Sequence, residues 1–127
     1  MQGKHLFEYA IIRVVPRVER EEFLNVGAIL YCKKEGFLKS RYFLDEHRLK
    51  CFAGFIDLDE VKKHLNSFER ICNGDKAGGA IAQMDIASRF RWLTATRSTV
   101  VQASKVHPGF CVNAAEKLDK LFEQLVA

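Results

Sequence analysis

Between Ile86 and Ala115 the chain carries Arg89, Arg91, Arg97 and Lys105 and not one acid. That window holds a charge of +4, equal to the formal net charge of the whole chain, so the remainder is neutral. Arginine forks beside the hydroxyls of Ser98 and Thr99 and the imidazole of His107 have the chemistry of an anion or phosphate site, because guanidinium donors match paired oxygens and hydroxyls fill in. Arg13, on the first apolar run, is a further donor for such a patch. The competing reading is solvated arginines whose apolar stems lie along a surface. Arg97 paired with an internal acid such as Glu8 or Asp45 is a third arrangement, which would leave it no free donors.

Other constellations carry less. His107-Pro108-Gly109-Phe110-Cys111 places an imidazole and a thiol four residues apart around a turn, shortly before a helix start, a setting in which a thiol can become a nucleophile. Cys111 is flanked by Phe110 and Val112, which suits a residue sealing the core. Glu19, Glu21 and Glu22 with Asp45 or Glu46 have the ligand types for a divalent ion, but Arg17 and Arg20 are interleaved with them and compensate the charge. Cys32, Cys51, Cys72 and Cys111 lie 19, 21 and 39 residues apart without a Cys-x-x-Cys pair. All four are read as reduced thiols packed as small hydrophobes, and no metal or cofactor is expected. The common phosphate-loop, dinucleotide, nucleophile-elbow and zinc-protease motifs do not occur, so no enzyme class is indicated.

These residues need a frame. Phe7–Val15, Phe23–Cys32 and Phe37–Leu44 are rich in β-branched and aromatic residues and predict three strands, the last two joined by a tight turn at Lys33-Lys34-Glu35-Gly36. Gly27 within the second run predicts a bulge, the close approach of a ligand, or room for a neighbouring aromatic ring. A short helix is expected from Asp45 through Leu49, Phe52 and Ala53. A longer one starts at Asp57, carries Val61, Leu65, Phe68, Ile71 and Cys72 at helical spacing, and stops at Asn73-Gly74. Asp75–Ala87 reads as a loop, and Arg89–Leu93 and Ser98–Gln102 as two short returning strands. Asn113 with Glu116 caps a last helix bearing Leu118, Leu121, Phe122 and Leu125.

The sum is one α+β domain over residues 1–127: two layers, an antiparallel sheet of four to five strands, and two or three helices packed on one face. A composition of 48% hydrophobic and 28% charged residues is that of an ordinary globule. The longest uncharged apolar run, Phe23–Cys32, is about half of a membrane span. The first residues lack a signal-peptide pattern, so a cytoplasmic location is expected. A pI near 8.9 with only +4 of net charge gives nucleic acid little to grip, and that partner ranks third.

Three segments carry a resemblance. Tyr9–Gly27, Phe90-Arg91-Trp92-Leu93-Thr94-Ala95, and Arg97-Ser98-Thr99-Val100-Val101-Gln102 running to His107 resemble the signature of the uncharacterised bacterial family called domain of unknown function 3037. The likeness extends from about Phe7 to the end of the last helix. It implies no activity. It implies a partner, since members are encoded beside a HipA-like kinase. Two functions therefore stand as expectations: a non-enzymatic protein-interaction domain partnering such a kinase, or a small enzyme or ligand-binding domain for a phosphorylated substrate, nucleotide or nucleic acid. The second would use Arg13, Arg91, Arg97, Ser98, Thr99 and His107.

Overall fold

The computed structural model describes residues 3–17, 20–97 and 99–126. Three strands come first, β1 (His5–Val14), β2 (Leu24–Cys32) and β3 (Phe37–Tyr42). Two helices follow, α1 (Glu46–Phe52) and α2 (Leu58–Asn73), then two 3₁₀ turns at Lys76–Gly78 and Ile81–Gln83. The chain ends with α3 (Ile86–Thr94), β4 (Val101–Ala103), β5 (His107–Cys111) and α4 (Ala114–Leu125). The five strands form one antiparallel sheet in the order β3-β2-β1-β4, with β5 also paired to β1. Expected class and strand number therefore stand. No helix among the described residues is long and apolar enough to cross a membrane.

Local chemistry explains most element ends. Asp45 caps α1 by accepting from the Arg48 N–H, Asp57 caps α2 through Asp59 and Glu60, and Asn113 caps α4 through Glu116. Gly74 closes α2 in the left-handed region at φ 70°. In the sheet Gly27 pairs with Ile12 and Asn25 with Arg13, so Val26 is an extra residue, a β-bulge. A Cβ on Gly27 would lie 2.5 Å from the Tyr42 Cβ and 2.6 Å from the Arg41 carbonyl oxygen, so glycine is required by the close approach of β3.

Arg89–Leu93, expected as a strand, is helical. Asp85 caps α3 by accepting from the Ser88 N–H at 2.8 Å, and Phe90 and Leu93 share the buried side. Arg-Phe-Arg-Trp alternates apolar and polar residues as a strand does, but the cap upstream and the buried Phe90–Leu93 spacing belong to a helix. The return strand is β4, shorter than the expected Ser98–Gln102. The last strand, β5, occupies the segment that Pro108-Gly109 marks as a turn.

The helices also lie on both faces rather than one. Ala10, Ile12, Val14, Ile29, Tyr31 and Leu38 face a core completed by α1, α2 and α3. Phe7, Ile11, Ala28, Leu30 and Cys32 face the opposite way, beneath Ala114, Leu118 and Leu121 of α4. The reason is visible in β2, whose residues from Val26 to Cys32 are all buried. A strand apolar at both parities needs a cover on each side.

Between β4 and β5, both on the same edge of β1, the ladder is bridged by one side chain. Ile11 donates its N–H to Ser104 Oγ at 2.8 Å, and the Ser104 N–H donates to the Ile11 carbonyl at 2.8 Å. Ser104 is the buried polar residue among those described. Its hydroxyl donates onward to the Lys105 carbonyl at 2.9 Å, so the hydroxyl both accepts and donates within this bridge.

Candidate functional site

The anion-patch residues fall in three separate places. Arg91 lies on the outer side of α3 and makes a forked pair with Glu8 of β1, Nη1 to Oε1 at 3.1 Å and Nη2 to Oε2 at 2.9 Å. Arg97, just after α3, folds back so that its guanidinium stacks 3.8 Å from the Trp92 ring centroid and donates to the Trp92 carbonyl. It lines a groove of about 310 Å³ with Thr99, Trp92 and His64. The Thr99 hydroxyl is spent locally, donating to the Val101 carbonyl at 2.7 Å. Ser98 lies outside the described residues.

Arg13 and His107 are on the side of the sheet that α4 covers. The Arg13 guanidinium sits 3.9 Å over the Phe23 ring, with its Nε buried and without a hydrogen-bond partner among the described residues. Burial lowers its pKa, and burial does the same for Arg97. His107 stacks on Tyr9 at 5.3 Å, and Cys111 lies four residues further along β5, too far along an extended strand for the imidazole to reach the thiol. Of the remaining basic window, Arg89 packs against Gly74 and donates to the Ala82 carbonyl at 3.3 Å, pinning the 3₁₀ turns. Arg91 and Arg97 are thus a helix residue and its exit, not members of two returning strands.

Of the acids considered for a divalent ion, three are engaged elsewhere. Glu22 pairs with Arg20 at 2.7 Å, Glu46 with Lys62 at 3.4 Å, and Asp45 caps α1. Glu19 lies outside the described residues. Three cysteines are buried, but Cys51 is exposed on α1 beside His47, its Sγ 3.8 Å from Nε2, which corrects its reading as a packed hydrophobe. A short helix has only one covered stripe, and on α1 Leu49 occupies it.

What sequence reasoning missed is an open stretch of sheet where β1 meets β5. Leu6 and Phe110 are direct partners in the register, and they are 55% and 63% exposed. They point to the face that carries Glu8 and Ala10, but α3 ends its cover at the Arg91–Glu8 pair. The hollow beyond has a volume of about 610 Å³ and is rimmed by Lys4, Lys33 and Lys34. Tyr31, stacked on Phe90 at 5.3 Å, forms its inner wall. Among the described residues no strand pairs with the outer edge of β5. The sequence signal was Phe110 on a segment whose Pro-Gly suggested a turn.

A family model described as "Protein of unknown function (DUF3037)" matches residues 9–126. The chain belongs to this family. Membership of the DUF3037 family brings no activity with it, and the match begins just beyond Leu6 while including Phe110. Compared with curated proteins and with solved structures, the chain finds no match in either.

Proposed function

We propose that this chain is a non-enzymatic protein-interaction domain that docks a partner on the open sheet face between β1 and β5, with a HipA-like kinase as that partner. The observation that carries the reading is the directly paired, solvent-facing Leu6 and Phe110 inside a lysine rim. Large side chains paired on a sheet surface normally gain a cover, and an apolar centre with a charged rim has the make-up of a protein interface. The rim selects a segment that is apolar at its centre and acidic at its flanks. The free edge of β5 adds backbone donors and acceptors to which an extended segment can pair. The phosphate-binding alternative loses its main support, because its described residues do not converge on one pocket.

Co-purification with a HipA-like kinase is the test, using the wild type and Phe110→Asp. The ring is exposed, so the variant keeps its fold, and the complex is expected to be lost. No complex with the wild type, or equal capture by Phe110→Asp, refutes the docking face.

A further inference from the structure

On the α4 side of the sheet, Cys32 ends β2, Glu35 lies in the turn between β2 and β3, and Cys111 ends β5. One ligand atom from each, two sulfurs and a carboxylate oxygen, lies within 4.8 Å of the other two. Cys32 Sγ is 3.9 Å from Glu35 Oε2. Both cysteines are buried and Glu35 is exposed, so the cluster is closed on the sulfur side and open on the carboxylate side. The Glu35 carboxylate accepts the N–H of Ala114, the first residue of α4, at 3.1 and 3.3 Å.

Two chemistries bring a pair of thiols together. A disulfide is the first, and the topology opposes it. Strand β1 stands between β2 and β5. Two strand spacings put their Cα atoms roughly 9–10 Å apart, whereas a disulfide needs them within about 7 Å. A bridging ion is the second. Tetrahedral zinc with bonds of about 2.3 Å to sulfur holds its two sulfurs about 3.8 Å apart, within the spread of this cluster after a small side-chain adjustment. Soft sulfurs with one carboxylate favour zinc over the hard cations. Glu35 already has the outer hydrogen bond, from Ala114, that orients a metal-bound carboxylate.

We propose that Cys32, Cys111 and Glu35 form a zinc(II) site whose fourth position is taken by solvent. Binding releases the two thiol protons to the medium and breaks no covalent bond between heavy atoms. The ion ties the β2–β3 turn to the end of β5 and the start of α4, three segments otherwise joined there by the Glu35–Ala114 hydrogen bonds. It does not depend on the docking face.

The test is cobalt(II) titration of the full chain, stripped of metal and held in a non-thiol reductant. A thiolate-to-cobalt charge-transfer band is expected to saturate at one ion per chain and to be displaced by zinc(II). Cys32→Ser and Cys111→Ser should each abolish it, while Cys51→Ser should leave it intact. Because the first two replace buried residues, Glu35→Gln provides the arm least exposed to misfolding. That exposed amide keeps an acceptor for Ala114, and affinity should fall by at least the roughly 10- to 100-fold that loss of an outer-shell partner costs, with an unchanged circular dichroism spectrum. Absence of a thiolate band in the wild type, a band of undiminished affinity in Glu35→Gln, or its loss in Cys51→Ser, which would put the ion at Cys51 and the neighbouring His47, each overturns the assignment.

Discussion

Single residues in this chain separate into those whose role follows from type and those whose role follows from place. Ser104 belongs to the second kind. Nothing in Ala103-Ser104-Lys105 announces that its hydroxyl replaces a backbone acceptor for Ile11. Ser104→Ala would leave that buried N–H without a partner, and we expect a loss of about 1–3 kcal/mol in denaturant unfolding. An unchanged midpoint would mean that water takes over the bond. The cysteines divide in the same way, since their spacing says nothing of which side of a strand or helix they occupy. Burial pushes the Cys72 thiol up to about 11, so at pH 8 about one molecule in a thousand carries the thiolate there. A thiol reagent at pH 8 should modify exposed Cys51 in the native chain and leave Cys72 until it unfolds; rapid labelling of Cys72 would contradict its burial. The linkage has a definite sign: the folded state favours the neutral thiol. Its contribution is therefore full below the ordinary thiol value near 9 and is lost as pH rises toward 11.

At the scale of elements, legibility followed the strength of local chemistry. The helices α1, α2 and α4 were readable because each has an acid or amide cap and an apolar stripe in register with it. The first three strands were readable from their β-branched and aromatic content. By contrast, α3 is nine residues long, and its apolar positions fit either period over the stretch from Arg89 to Leu93. In β5, Pro108 and Gly109 are turn residues by type. Proline is tolerated there because β5 is an edge strand, and Gly109 is needed because a Cβ would meet the Phe7 ring at 2.6 Å. Within α4, Phe122 is buried under the Arg41 guanidinium, 4.4 Å from its centroid, and also lines an open hollow of about 480 Å³. Phe122→Ala should then cost about 3 kcal/mol, the low end for such a truncation, because the space left is open to water rather than sealed. A loss under about 1 kcal/mol would show that α4 is held by Leu118 and Leu121 without it.

Across the whole molecule, the decisive feature is that the sheet has an apolar cluster on each side, and β1 and β2 contribute to both. The β-branched and aromatic run along β1 was legible, but the second cover was hidden, since nothing local in α4 says which face of a distant sheet it meets. The anion patch dispersed for the same reason: Arg13 and His107 ended on the side that α4 covers, Arg91 and Arg97 on α3 and its exit. The shared strands make a prediction about cooperativity. Leu121 is buried in the α4-side cluster, whereas Trp92, the single tryptophan of the chain, is on α3 across the sheet. If the two clusters unfold as one unit, Leu121→Ala should lower stability by about 2–5 kcal/mol and shift the Trp92 fluorescence transition as far as the circular dichroism transition. Independent clusters would instead leave the tryptophan transition in place while part of the dichroism signal melts early. We expect coincidence, because no strand of the central pair can lose its α4-side packing and keep the alignment that the opposite cluster needs: Ala28 and Leu30 alternate with Ile29 and Tyr31 on a single backbone, and a slip that exposes one set exposes the other.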